Sequence, residues 1–174
     1  DYGGPVSFSG FFRKSFFNRP AIGIGLQFNR RIQNVTGQTQ FVIGGGGRLL
    51  INAGLSNSQQ GGFGYATGVS YDQLIYRGNR IDSFSIRADY LSRRYGGLGN
   101  PNPNNSTSFS LNGQYNRAIS ENLLLLFSAN YVMQRGRNGD NYRIGASVNY
   151  NIDRRWSLRG GLDYTRIPGF SNNG

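Results

Sequence analysis

The chain has no cysteine and no histidine, a single lysine and a single glutamate. Without cysteine it can build neither a disulfide framework nor a thiolate metal site. Without histidine it lacks the usual general base, most transition-metal sites and any Ser-His dyad. Long apolar runs are missing too. The longest, Leu123 to Leu126 extended by Phe127, falls far short of the roughly 18–20 residues that a membrane-spanning helix needs. If the chain enters a membrane, it does so with strands. No linker divides its 174 residues, so one domain over 1–174 is expected. The opening Asp1-Tyr2-Gly3-Gly4 carries no secretory-signal pattern and reads as mature or excised protein.

What is present is glycine (27), tyrosine (11) and phenylalanine (12), with frequent asparagine and arginine and only five prolines. Strand formers interrupted by turn residues predict an all-β chain. The net charge of +11 rests on 18 arginines and one lysine against seven aspartates and one glutamate. A basic surface of that size can meet nucleic acid or anionic lipid, and the position of the arginines decides between them.

The clearest pattern starts at Tyr142. Tyr142, Ile144, Ala146, Val148, Tyr150 and Ile152 alternate with Arg143, Gly145, Ser147, Asn149 and Asn151. This period of two puts an apolar set on one face of a strand and a polar set on the other. The same alternation runs through Trp156 to Thr165, Phe109 to Tyr115, Phe84 to Tyr90 and Phe63 to Tyr71. Leu49 to Leu55 and Ile22 to Phe28 follow it as well. The pattern is weakest over 6–16, 39–45 and 122–135, the last being apolar on both faces at its start. About ten strands in series, with no helical stretch, predict an antiparallel meander.

The polar face is Ser, Asn, Gln, Gly and Arg, whereas the exposed face of a soluble sandwich carries Lys, Glu and Thr. Small polar residues with some arginines suit a confined, water-filled lumen. Aromatic placement is more specific. The apolar face begins and ends with a ring at Phe63 and Tyr71, Phe84 and Tyr90, Phe109 and Tyr115, Tyr142 and Tyr150, and Trp156 and Tyr164, and a further strand runs from Leu123 to Tyr131. Neighbouring strands run in opposite directions, so these rings form two belts. At about 3.3 Å per residue and a tilt near 40°, the belts lie roughly 15–20 Å apart, close to the apolar band and aromatic girdles of an outer-membrane barrel. The plainer alternative is that aromatics favour strand ends in a soluble barrel. The expected fold is thus all-β, an antiparallel meander of about ten strands forming all or part of a transmembrane β-barrel.

Connections are expected near 17–19, 33–38 (long), 46–47, 58–61, 77–81, 96–105 (long, with Asn100-Pro101-Asn102-Pro103-Asn104-Asn105), 119–121, 136–140 and 153–154. Short and long links alternate, as when one end faces the periplasm and the other the exterior. Short periplasmic turns then place both termini outside the cell, whereas a complete single-chain barrel has both in the periplasm. The chain also ends in Phe170-Ser171-Asn172-Asn173-Gly174 without a terminal aromatic. An internal stretch of a larger barrel, or one part of a multi-chain barrel, is expected.

No catalytic, cofactor-binding or metal-binding residue is expected. Asp89 and Asp163 face inward, near Arg87 and Arg159; a paired-carboxylate hydrolase is conceivable, and lumen salt bridges are the simpler reading. Gly44 to Gly47 reads as a tight hairpin, since no helix or Gly-Lys-Ser/Thr follows. Arg13, Arg31, Arg48, Arg87, Arg143 and Arg159 are expected to line a positively biased lumen with Asp89 and Asp163. A second group of arginines, at 77, 80, 93, 94, 135, 137, 154 and 155, lies at strand ends. There they can bind lipid phosphates as bidentate donors, or simply sit solvated at the rim. Nucleic acid wants cations interleaved with aromatics on one face; here the two lie on opposite faces, so it is not an expected partner.

Several passages resemble the barrel region of fimbrial ushers, the outer-membrane proteins that export and assemble chaperone-delivered pilus subunits. They are Gly61-Gly62-Phe63-Gly64-Tyr65 through Val69-Ser70-Tyr71, Phe84-Ser85-Ile86-Arg87 through Tyr90-Leu91-Ser92-Arg93-Arg94-Tyr95, and the strands from Phe109 to Arg166 with the Leu-rich eighth. The resemblance covers most of this chain and under half of an usher barrel. It includes no plug, chaperone-binding N-terminal domain or C-terminal domain, so no functional residue carries over. It implies an outer-membrane pore wall, with exported subunits, further strands or protomers, and outer-membrane lipid and lipopolysaccharide as partners. The alternative is a general outer-membrane channel or anchor with a basic lumen for anionic solutes or polymers.

Overall fold

The computed structural model describes residues 6–16, 20–97, 104–136, 139–153 and 155–167. The expected link at 17–19, Asn100 to Pro103, Arg137, Arg154 and the segment from 168 onward lie outside them. Ten strands form one sheet in sequence order. They are β1 (Phe8–Lys14), β2 (Ala21–Phe28), β3 (Ile32–Ile43), β4 (Gly47–Ser58), β5 (Gly62–Arg77), β6 (Arg80–Leu91), β7 (Thr107–Ala118), β8 (Leu123–Gln134), β9 (Asn141–Asn151) and β10 (Ser157–Arg166). Every neighbouring pair is antiparallel. The meander is as expected; among the described residues β1 and β10 do not pair, and the sheet is open, so these ten strands by themselves form no closed barrel.

Local chemistry sets the turns. Gly78 takes φ 61° in the two-residue β5–β6 hairpin, a conformation that favours glycine. Asn29 Oδ1 accepts the amides of Arg31 (2.8 Å) and Ile32 (2.9 Å), closing the β2–β3 turn, and Asp153 does the same for Arg155 and Trp156 between β9 and β10.

Two expectations about links are corrected. Residues 33–38 are not a loop but the first half of β3, laddered to both β2 and β4. Their alternation is muted because Gln33, Gly37 and Thr39 stand on the apolar side; pairing on both edges overrides the weak local signal. With that loop gone, the regular alternation of short and long links fails in the first half of the sheet. The extended connection runs over 92–106, because β6 ends at Leu91.

Register carries one side assignment across all ten strands. Tyr71, Ile86, Gly113, Ala129, Ile144 and Tyr164 share the apolar face; Ser70, Arg87, Asn112, Asn130, Arg143 and Thr165 share the other. Among the described residues the only buried hydrophobic side chain is Ile32, 1% exposed. The apolar face is open instead, with Leu162 85% and Trp156 70% exposed. The sheet has no hydrophobic core of its own.

The face pattern inverts at one end of β5–β8. Beyond Tyr71 and Phe84, the apolar side carries Arg77, Arg80, Asp82 and Arg117, while Leu74, Tyr76, Ile81, Leu124 and Leu126 lie on the polar side. The two-faced apolarity expected at the start of the eighth strand belongs to this patch.

Candidate functional site: the polar face and its girdled reverse

Arg13, Arg48, Arg87, Asp89, Arg143, Arg159 and Asp163 all occupy polar-face positions. Arg31 does not. It sits in the Asn29-capped turn between β2 and β3, outside any strand. Sequence reasoning also missed Asp72. It followed the alternation of the fifth strand only as far as Tyr71, so Asp72 was given no face; β5 runs to Arg77 and sets Asp72 opposite Arg48.

Asp72 changes the electrostatics. Arg48 forks onto its Oδ2 from Nη2 (2.7 Å) and Nε (3.1 Å). Arg87 grips Asp89 two residues along the same strand, Nε to Oδ2 at 2.6 Å and Nη2 to Oδ1 at 3.0 Å. Arg143 reaches diagonally to Asp163, with Nη2–Oδ2 at 3.0 Å. Arg13 donates to Gln40 at 2.8 Å, while Arg159 makes no ion pair among the described residues. Five arginines thus face three aspartates, a surplus of two positive charges. The ion pairs are solvent-exposed and each contributes about 0–1 kcal/mol; what they fix is where charge sits. Between them, Asn130 donates to Asn112 and Asn116 to Ser83. Arg48, Asp72, Arg87, Asn112, Gln114 and Arg143 line one continuous groove of about 830 Å³.

Asp89 and Asp163 lie on β6 and β10. They stand four strands apart, about 19 Å across the sheet at about 4.8 Å per strand, and four residues out of register along it; each is held by its own arginine. The arrangement builds a charged ladder, not a carboxylate pair.

Part of the polar face is covered. After β6 the chain folds back across it as a strap, from Ser92 to Gly97. Gly96 N–H donates to Ser56 Oγ (3.0 Å), and Asn34 Nδ2 donates to Gly96 O (2.9 Å). Asn105 Nδ2 secures the strap by donating to the carbonyls of Ser92 (3.0 Å) and Tyr95 (2.7 Å). Asn34 and Ser56 are buried beneath it, and Asn34 Oδ1 has no hydrogen-bond partner among the described residues. The strap lies so close that its floor must be glycine. A Cβ on Gly54 would sit 3.2 Å from the Tyr95 ring, and one on Gly64 would overlap the Arg94 backbone. Nothing in the alternation pointed to the strap, although the glycines at 54 and 64 were visible in the sequence.

On the reverse, register places Phe63, Tyr71, Phe84, Tyr90, Phe109, Tyr115, Tyr131, Tyr142, Tyr150 and Tyr164 on the apolar face, and Trp156 on the same side just before β10. At one end Tyr65 stacks on Tyr90 (5.7 Å), and Phe109 meets Tyr131 (6.3 Å) and Tyr142 meets Tyr164 (5.8 Å). Nearer the other end, Tyr71 meets Phe84 and Tyr115 stacks on Phe127, both at 6.5 Å.

The arginines at strand ends divide. Arg135 is absorbed into the fold, donating to the carbonyls of Leu91, Asn105 and Thr107 and lying 5.8 Å from the Tyr90 ring. Arg93 donates to Asn104 beside the strap. Arg77 and Arg80 stand on the apolar side at the β5–β6 hairpin.

This architecture defines the class: an all-β, open ten-stranded meander with one charged, strapped face and one exposed apolar face. No known family model matches the chain, and no curated protein matches it.

Proposed function

We propose that this chain is the wall of an outer-membrane β-barrel pore, its apolar face in lipid and its polar face lining a water-filled lumen. One observation supports this above the rest: among the described residues a single hydrophobic side chain is buried, and the face that carries most of the others is open. Water-exposed apolar patches on monomers rarely exceed a few hundred Å², whereas a barrel strand requires this pattern. In the hydrocarbon, each unpaired edge group of β1 and β10 would cost several kcal/mol. The wall is therefore completed by further strands or protomers.

The reading predicts sharply different tolerance on the two faces. Leu111→Arg or Val148→Arg should cost about 2–4 kcal/mol if these positions face mid-bilayer. Ser110→Arg, beside Asp89, and Ser147→Arg should be nearly neutral. Denaturant titration after refolding into lipid vesicles measures this, and equal tolerance on both faces would sink the proposal.

Two cargoes suit such a wall. An usher-like role in secreting and assembling pilus subunits is supported by the likeness of the stretches 61–71, 84–95 and 109–166 to usher barrels. A general channel for anionic solutes or polymers is supported by the surplus of arginine on the polar face. Chaperone and pilin genes beside this gene favour the first; their absence favours the second.

A further inference from the structure

The inverted end of β5–β7 collects positive charge on the side that is apolar over the rest of the sheet. Arg77 and Arg80 are direct cross-strand partners, an arrangement of like charges that is destabilising by itself. The Arg80 guanidinium reaches over β7 to donate to the Ile119 carbonyl, which brings it beside Arg117 on the same face. The acidic group set among them on this face of the strands is Asp82, and its carboxylate is enclosed. It receives Arg77 Nε (3.1 Å), Tyr115 Oη (3.2 Å) and Ala118 N (3.0 Å) with no exposed surface. Arg77 retains an open flank, its side chain 56% exposed. Arg80 and Arg117 form no ion pair among the described residues; Arg117 lies two residues beyond Tyr115 of the Tyr115–Phe127 contact and Arg80 four beyond Phe84 of the Tyr71–Phe84 contact. Such rings settle at headgroup level in a bilayer, which is where lipid phosphates lie, and guanidinium forks match phosphate oxygens.

We propose that Arg77, Arg80 and Arg117 form a binding site for the phosphate of an anionic lipid on the outer face of β5–β7. The proposal rests on the membrane reading above. The full chain is diluted from urea into vesicles of phosphatidylcholine alone or phosphatidylcholine mixed with phosphatidylglycerol, and bound protein is read by flotation. Phosphatidylglycerol should strengthen binding, and R77Q/R80Q/R117Q should weaken that enhancement by about tenfold or more. R13Q/R31Q/R159Q, which removes the same charge elsewhere, should leave it intact. Arg77 also supports Asp82, so R117Q alone serves as a milder variant and should still lose severalfold. Equal loss in the two triple variants, or no loss in R117Q, overturns the site in favour of diffuse charge attraction. Abolition of the enhancement by inorganic phosphate at matched ionic strength assigns the site to free phosphate and overturns the lipid. Binding to phosphatidylcholine without any preference overturns the site alone; no binding to either vesicle overturns the membrane reading itself.

Discussion

Asp82 has no exposed surface, and three groups from β5 and β7 converge on its carboxylate. Removing it strands the Ala118 amide and the Tyr115 hydroxyl, and an unsatisfied buried polar group costs about 1–3 kcal/mol. Asp82→Ala should therefore lower stability by about that amount in vesicle-refolded protein. Asp82→Asn should cost less, because its amide oxygen still accepts from Ala118. Denaturant midpoints for the two variants and the unmodified chain check this; an Asp82→Ala midpoint equal to that of the unmodified chain would deny the carboxylate its role. Single residues were unevenly legible. The aromatic positions from Phe63 to Tyr164 could be assigned to one face because a period of two survives any error in strand ends. Asp72 could not, since the alternation breaks down after Tyr71, where Gln73 takes the apolar side and Leu74 the polar side. Nor could Arg31, whose turn is fixed by the Asn29 side chain rather than by alternation.

At the scale of elements, the strap from Ser92 to Gly97 rests on a floor made by β4 and β5. Gly64→Ala drives a methyl group into the Arg94 backbone, so the strap must lift and break the Gly96–Ser56 bond. The Gly96 amide should then exchange with solvent at least tenfold faster, a loss of about 1.4 kcal/mol of local protection. Gly113→Ala, whose Cβ meets nothing within 4 Å, should leave that amide unchanged. Hydrogen exchange read by NMR decides the matter, and unchanged Gly96 protection in Gly64→Ala would show that the strap is not wedged. Strands with large apolar residues, β5, β6, β9 and β10, were plain in the sequence. The first half of β3 was not, because Gly37 and Thr39 occupy its apolar side and only pairing with β2 and β4 makes it a strand. The strap was hidden for a related reason: its contacts link residues 34, 56 and 96, which no local pattern connects.

For the whole molecule, the polar-face charge predicts conduction. With Arg48, Arg87 and Arg143 each matched to an aspartate, the unmatched arginines are Arg13 and Arg159. The assembled pore should be weakly anion-selective at low salt. The bias should fade as the Debye length drops from about 30 Å at 0.01 M to about 3 Å at 1 M. Arg13→Gln with Arg159→Gln should abolish it. Replacing Arg87, Arg143 and Arg159 with Gln strands Asp89 and Asp163 and should reverse it. Reversal potentials under a salt gradient across a planar bilayer measure both, and cation selectivity in the unmodified pore would contradict the assigned faces.

The missing core bears on what stability means for this chain. A soluble domain carries its apolar solvent inside itself, so its unfolding free energy belongs to the polypeptide. In the proposed membrane wall that solvent is external, and the folded sheet would be one partner in an equilibrium with whatever amphiphile wets its open face. On that proposal its melting point should have no single value and should move with the identity and amount of amphiphile, as any ligand-linked transition does.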